Sequence, residues 1–184
     1  MRIAPMDVNE LDAEGVALFK AISGPRGGRI DGPFQVWLRA NPQLAACINE
    51  VGMTLRSAGR LDKRLLEIAV LTVARCWDTR YQWTAHVPIA IDLGVAQHVI
   101  DAIGSGERPG FAPEDELAVY DLTVNLLERH AVADALYERL ISLIGFDDMV
   151  ELITAIGQYS LAAIVSNAFE VAPPEGPPLP ARKM

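Results

Sequence analysis

Apolar residues in this chain recur mainly at three- and four-residue intervals, and strand-like alternation is nearly absent. That pattern predicts an all-α domain. Asn9 opens a first helix through about Ala21, and a loop over 24–32 with Pro25, Gly27 and Gly28 ends it. A short helix covers 34–40. Asn41 followed by Pro42 is a cap and a first-turn proline, predicting a helix to about Ala58, where Gly59 stops it. Asp62 caps the next helix, which runs to about Trp77 and is apolar on nearly every side. Such a helix belongs in the middle of a bundle. Further helices are expected over 80–93, 96–103, 113–129, 133–144 and 147–169.

The tail 173–184 holds five prolines and cannot be helical. It is expected to be disordered or to lie as an extended arm across a neighbouring subunit. One domain over 1–172, with its core at about 34–169, accounts for the rest.

The most apolar stretch, 149–169, is interrupted by Glu151, Gln158 and Asn167. It reads as a buried helix, and no membrane partner is expected. The net charge of −8 over 184 residues argues against a nucleic-acid partner, because phosphate binding needs concentrated positive charge. Two cysteines, Cys47 and Cys76, stand in no metal-binding or disulfide pattern, and the N-terminus lacks the apolar run of a signal peptide. A cytoplasmic protein is expected. The apolar helices around Leu65–Ala74 and 147–169 are too many for one domain to cover, so a homo-oligomer is expected too.

Candidate chemistry lies in one stretch, E67-IAVLTVA-R75-C76-W77-D78-T79-R80-Y81-Q82-W83-T84-A85-H86. Glu67 is the only acid in its helix between Asp62 and Asp78. There its charged form is disfavoured unless a partner compensates. Thr79, Gln82, Trp83 and His86 share one face of the next helix. If that helix packs back antiparallel, His86 approaches Glu67, and a carboxyl–imidazole pair in a dry cleft makes a proton relay. Structural readings stand beside this one. Glu67 can be salt-bridged to an arginine, and a buried histidine can be a satisfied core residue. Thr79 and Gln82 can form a capping box instead of touching substrate. Tyr81 and Trp83 can be core or interface aromatics, and Arg80 a surface charge in the first helical turn. Pro88, two residues past His86, should bend the helix locally.

At these residues the chain resembles the carboxymuconolactone decarboxylase family, which includes the alkylhydroperoxidase D-type proteins. The likeness is carried by the Glu67-to-His86 spacing, Y81-x-W83-x-x-H86 and A85-H86-V87-P88-I89-A90. It extends to G32-P33-F34-Q35-V36-W37-L38, I156-G157-Q158-Y159 and N167-A168-F169-E170-V171. The resemblance implies a helical bundle with a central antiparallel hairpin, assembled as a homotrimer or homohexamer. It also implies a pocket near subunit contacts in which Glu67 and His86 are catalytic. Peroxidase-type members use a C-x-x-C pair, whose two positions here are Thr79 and Gln82.

Three functions follow. The first is an enzyme acting on a small organic acid or lactone. In it Glu67 and His86 relay the proton, Thr79, Arg80, Tyr81, Gln82 and Trp83 contact substrate, and Arg75 or Arg80 holds a carboxylate. It needs neither metal nor organic cofactor. The second is a peroxiredoxin-like peroxidase dependent on Cys76. The third is a non-catalytic oligomeric protein that binds a small molecule.

Overall fold

In a computed structural model that describes residues 2, 7–24 and 30–183, eight α-helices and no strand are found among those residues. They are α1 (Ala13–Ser23), α2 (Pro33–Ala40), α3 (Pro42–Met53), α4 (Lys63–Cys76), α5 (Arg80–Asp92), α6 (Gln97–Ser105), α7 (Glu114–Val124) and α8 (Asp134–Ala168). None of them is long and apolar enough to cross a membrane.

Local signals explain most boundaries. The Asn41 side chain accepts from the Leu44 N–H at 3.0 Å and Pro42 opens α3, as a cap followed by a first-turn proline should. Asp62 accepts from the Arg64 N–H at 2.8 Å and starts α4. The first helix differs from expectation. Residues 8–10 form only a 3₁₀ turn, and α1 begins after Asp12, whose carboxylate accepts from the Gly15 N–H at 2.7 Å. Asp12 is the stronger cap because its acceptor reaches the third residue of the helix. Most of the expected loop, residues 25–29, lies outside the described residues. Gly145 takes φ 80° and ψ 171°, which splits α8 into two helical segments where two helices were expected.

Helix α4 is the axis of the bundle. Every residue from Leu65 to Arg75 is buried, and α5, α6, α7 and α8 all pack against it. A second apolar cluster, with Ile22, Trp37, Leu38, Ala45 and Ile48 at its centre, joins α1, α2 and α3 to Ala162 and Val165 of α8. Burying these two clusters is the main force holding the chain together.

The tail corrects its expectation, since it lies on its own bundle. Arg75 Nη1 donates to the Pro180 carbonyl at 2.8 Å, Thr84 Oγ1 to that of Pro177 at 3.0 Å, and Arg182 Nη2 to that of Arg75 at 3.0 Å. Proline-rich chain leaves its carbonyls without internal partners, and here buried donors on α4 and α5 take them.

The turn into α4 is held by Glu151 of α8, which accepts from the backbone N–H groups of Arg60 and Leu61, both at 3.0 Å. A Cβ at Gly59 would sit 2.6 Å from Glu151 Oε2, so only glycine leaves room. Burial pushes the Glu151 pKa up, but the two backbone hydrogen bonds, with Lys63 and Arg60 nearby, outweigh it and hold it below the usual carboxyl value. Folding therefore depresses this pKa. The stabilisation is complete above the ordinary carboxyl range and is lost as pH falls through the folded value. Glu151→Ala should cost about 1–3 kcal/mol at neutral pH and lower Tm by several degrees. The Tm gap to the wild type, followed by circular dichroism, should shrink on acidification. A pH-independent gap would show that the carboxylate charge is not what holds the turn.

Candidate functional site

The α4–α5 hairpin turns at Asp78, which takes the left-handed conformation at φ 51°. The Arg75 guanidinium pairs with the Asp78 carboxylate across the turn, and the Thr79 N–H donates to the Ala74 carbonyl at 2.8 Å. Two side-chain contacts set the register beyond it. Gln82 Nε2 donates to the Val70 carbonyl at 3.0 Å, and His86 Nδ1 lies 2.8 Å from Glu67 Oε2. One index rises as the other falls, so the helices are antiparallel, and the Glu67–His86 pair bridges them one turn beyond Gln82.

This pair is dry. The Glu67 side chain is 4% exposed and that of His86 is 14% exposed. An ionised carboxylate can only accept, so Nδ1 carries the shared hydrogen and Nε2 is the ring nitrogen left for a ligand. Nε2 has no hydrogen-bond partner among the described residues. The Tyr159 ring stands edge-on to the imidazole, with centroids 5.1 Å apart and planes at 89°, which limits how the ring can rotate.

His86 opens into a cavity of about 210 Å³ lying where the two apolar clusters meet. Its walls come from four places in the sequence. Asp31, Pro33 and Phe34 lead into and begin α2, and Arg56 lies in the widened turn after α3. Tyr81, Gln82, Ala85, His86 and Ile89 belong to α5, and Tyr159, Ala162 and Ser166 to α8. The Tyr81 hydroxyl donates to Asp31 Oδ1 at 3.0 Å, and its ring lies flush against Gly32. Gly32 takes φ 66° and has no room for a Cβ, so glycine is required there twice over. Gln82 Oε1 and Ser166 Oγ, both on lining residues, have no hydrogen-bond partner among the described residues. Among the described residues, no group of three or more His, Cys, Asp or Glu could hold a metal ion.

The sequence candidates divide around this cavity. Glu67, His86, Tyr81 and Gln82 come together at it. Trp83 does not: it is buried in the main core, with its indole against Gly104, where a Cβ would sit 2.8 Å from the ring. Thr79 and Arg80 line an adjoining groove with Asn167, Glu170 and Val171. The capping box also fails. Thr79 is the cap residue of α5, yet its side chain makes no capping bond, its N–H goes to the Ala74 carbonyl, and the Gln82 side chain reaches the Val70 carbonyl on α4 instead. Arg75 is the clearest correction as a carboxylate holder, since Asp78 and the carbonyls of Gly104 and Pro180 take its guanidinium. Arg56, Tyr159 and Ser166 were not singled out as site residues. No local motif marks them, because Arg56 reaches the cavity from the widened turn after α3, and Tyr159 and Ser166 from α8, all far along the chain from His86.

Neither cysteine reaches this cavity. Cys76 borders a separate small hollow with Tyr120, Glu128 and Arg182, and Cys47 is exposed on α3. Burial, reinforced by the Glu128 carboxylate, raises the Cys76 thiol to about 11. At neutral pH only on the order of one thiol in ten thousand is then ionised, whereas the thiolate is the nucleophile.

No family model and no curated protein matches the sequence. Solved structures do match. An uncharacterised peroxidase-related protein from Silicibacter sp. TM1040 superposes with a TM-score of 0.75 at 14% identity, over 92% of this chain and 91% of its own. A second, an alkylhydroperoxidase AhpD core described as an uncharacterised peroxidase-related protein from Ralstonia eutropha JMP134, gives 0.76 at 17% identity, over 95% and 92%. With nearly the whole of each chain covered, the all-helical bundle around the α4–α5 hairpin is the alkylhydroperoxidase AhpD-core fold.

Proposed function

We propose that the chain is an acid–base enzyme acting on a small organic acid or lactone, with Glu67 and His86 as its proton relay. The observation that carries this reading is the 2.8 Å contact between the two at the wall of a small cavity. In a decarboxylation the bond between the carboxylate carbon and its neighbour breaks, and its electron pair enters the adjoining carbonyl as an enolate. The imidazolium form of His86, protonated on both nitrogens, gives its Nε2 proton to the enolate carbon, carbon dioxide leaves, and solvent reprotonates the imidazole. In a lactone isomerisation the same nitrogen removes a proton from one carbon and returns it to another. Glu67 serves both by fixing the ring's orientation and by stabilising the imidazolium. A Cys76-dependent peroxidase is the second reading: the matched structures are peroxidase-related proteins, while Cys76 borders a hollow other than the His86 cavity and burial raises its thiol pKa.

The enzyme is proposed to work as a homo-oligomer, a trimer or hexamer. Phe146, Val150, Ile153, Leu161 and Ile164 are all exposed on α8, and with Gly157 they follow three- and four-residue spacing along one stripe. Such a stripe is the seam a second helix packs against, and apart from the helix's own backbone no described residue lies within 4 Å of a Cβ placed at Gly157.

Catalysis is tested with a panel of β-keto acids and unsaturated γ-lactones, following carbon dioxide release and ultraviolet absorbance. His86→Ala should lower kcat by about 100-fold or more, and Glu67→Gln by a smaller factor, with KM nearly unchanged. Cys76→Ser should leave this turnover intact. Ligand binding without turnover across the panel favours a non-catalytic binding protein, and hydroperoxide turnover abolished by Cys76→Ser favours the peroxidase. Assembly is tested by light scattering at about 100 μM, a concentration at which a self-associating apolar seam should be filled. The wild type should show a multiple of the 20.0 kDa chain mass, and Ile153→Glu with Ile164→Glu should dissociate it. A wild-type monomer would remove the oligomer.

A further inference from the structure

Arg56 lines the His86 cavity from the widened turn after α3. Its guanidinium folds back over Gly52, where a Cβ would lie 3.0 Å from Nη1 and 3.3 Å from Nη2. Among the described residues, every other arginine or lysine that is at least partly buried has a partner. Lys63 donates to the Leu55 and Gly59 carbonyls, and Arg64 pairs with Asp115 and Glu116. Arg75 pairs with Asp78 and donates to two carbonyls, and Arg139 faces Glu114. Arg56 is the exception, with no hydrogen bond or ion pair to any described residue. A half-buried guanidinium loses hydration without receiving an anion in return, and its planar fork matches a carboxylate.

The surroundings point the same way. Ser166, 4% exposed and among the residues lining the cavity, has a buried hydroxyl with no partner among the described residues, a donor left over for a ligand. Asp31 is the one acid among the lining residues. It is exposed and already accepts from the Tyr81 hydroxyl, and it forms no ion pair with Arg56. Because Arg56 and His86 border the same space of about 210 Å³, a small anion held by the guanidinium keeps its remaining atoms beside the imidazole.

We propose that Arg56 is the anion-binding residue of this cavity and that the cavity's ligand carries a carboxylate, with Ser166 as a second donor. The inference rests on the catalytic reading only in calling that ligand a substrate.

The probes are 4-oxopentanoate and its uncharged analogue 4-oxopentanamide, titrated calorimetrically into the full chain. The acid should bind at least about tenfold more tightly than the amide. Arg56→Met should weaken the acid by at least about tenfold while leaving its thermal unfolding within a few degrees of the wild type. Arg56→Lys should recover part of that loss, since it restores the charge without the fork. If Arg56→Met unfolds, the acid-to-amide ratio in Arg56→Lys carries the test. It should fall between one and the wild-type ratio. Equal binding of acid and amide, undiminished acid binding in Arg56→Met, or no acid binding to the wild type would each overturn the assignment. His86→Ala separates the two ideas. Acid binding kept while turnover is unaffected leaves the anion site standing and removes the relay. Turnover lost in His86→Ala with acid binding indifferent to Arg56 does the reverse.

Discussion

A carboxylate in the most buried helix of a bundle sets the terms for everything packed around it. Glu67 lies on α4 within a run of residues that is buried from Leu65 to Arg75. Its charge cannot be left unanswered there, because desolvating an unpaired carboxylate costs several kcal/mol, roughly the net stability of a small domain. His86 supplies the answer from α5, and that requirement fixes how far α5 can slide along α4. Gln82 reinforces the same register by donating to the Val70 carbonyl. With α5 fixed, Tyr81 is placed against Gly32 and bonded to Asp31, which positions the start of α2. Tyr159 of α8 then closes on the imidazole from the other side. The cavity is what remains where these elements meet.

Much of this was legible because its signals are local. The all-round apolar character of 62–77 put α4 at the centre, and the nineteen-residue separation of Glu67 and His86 in an antiparallel hairpin placed them opposite one another. Asn41–Pro42, Asp62 and the break before the last helix were equally readable, since caps, prolines and glycines act within a few residues. Tertiary competition defeated the rest. Thr79 and Gln82 had the spacing of a capping box, but a carbonyl on α4 competed successfully for the Gln82 amide. Five prolines excluded a helix in the tail, yet could not say that Arg75 and Thr84 would take its carbonyls. Trp83 shared a face with His86 on paper, while the gap left by Gly104 drew its indole into the core. Arg56, Tyr159 and Ser166 became neighbours of His86 only when α3 and α8 closed over α5, and no spacing along the chain encodes that.

The charge economy of the bundle explains why the proposed cation role shifts from the hairpin to the widened turn after α3. Arg75 lies eight residues past Glu67 on the same helix. Eight residues is a little more than two turns, so its guanidinium emerges at the far end of α4. There the carbonyls of Gly104 and Pro180 and the Asp78 carboxylate claim it. Arg80 sits at the first turn of α5 and borders the neighbouring groove. Neither lines the space beside the imidazole, whereas Arg56 does and carries no internal anion.

The same accounting bounds the chemistry open to the cavity. The resemblance implies that in the family's peroxidase-type members a thiol pair stands at the positions of Thr79 and Gln82, at a helix start where the dipole favours thiolate. Here Gln82 is tied through its amide to α4, and the Thr79 hydroxyl is buried at the cap without a partner among the described residues. Neither side chain can ionise near neutral pH, accept an oxygen atom from a peroxide or close a disulfide. Beside the cavity stand an imidazole and the carboxylate that orients it, with Asp31 tied to the Tyr81 hydroxyl at the entrance to α2. The chain shares its fold with peroxidase-related proteins, yet neither of its cysteines borders the cavity that His86 lines. The proposed proton transfer to or from carbon in a small bound acid therefore rests on the Glu67–His86 pair and not on a thiol.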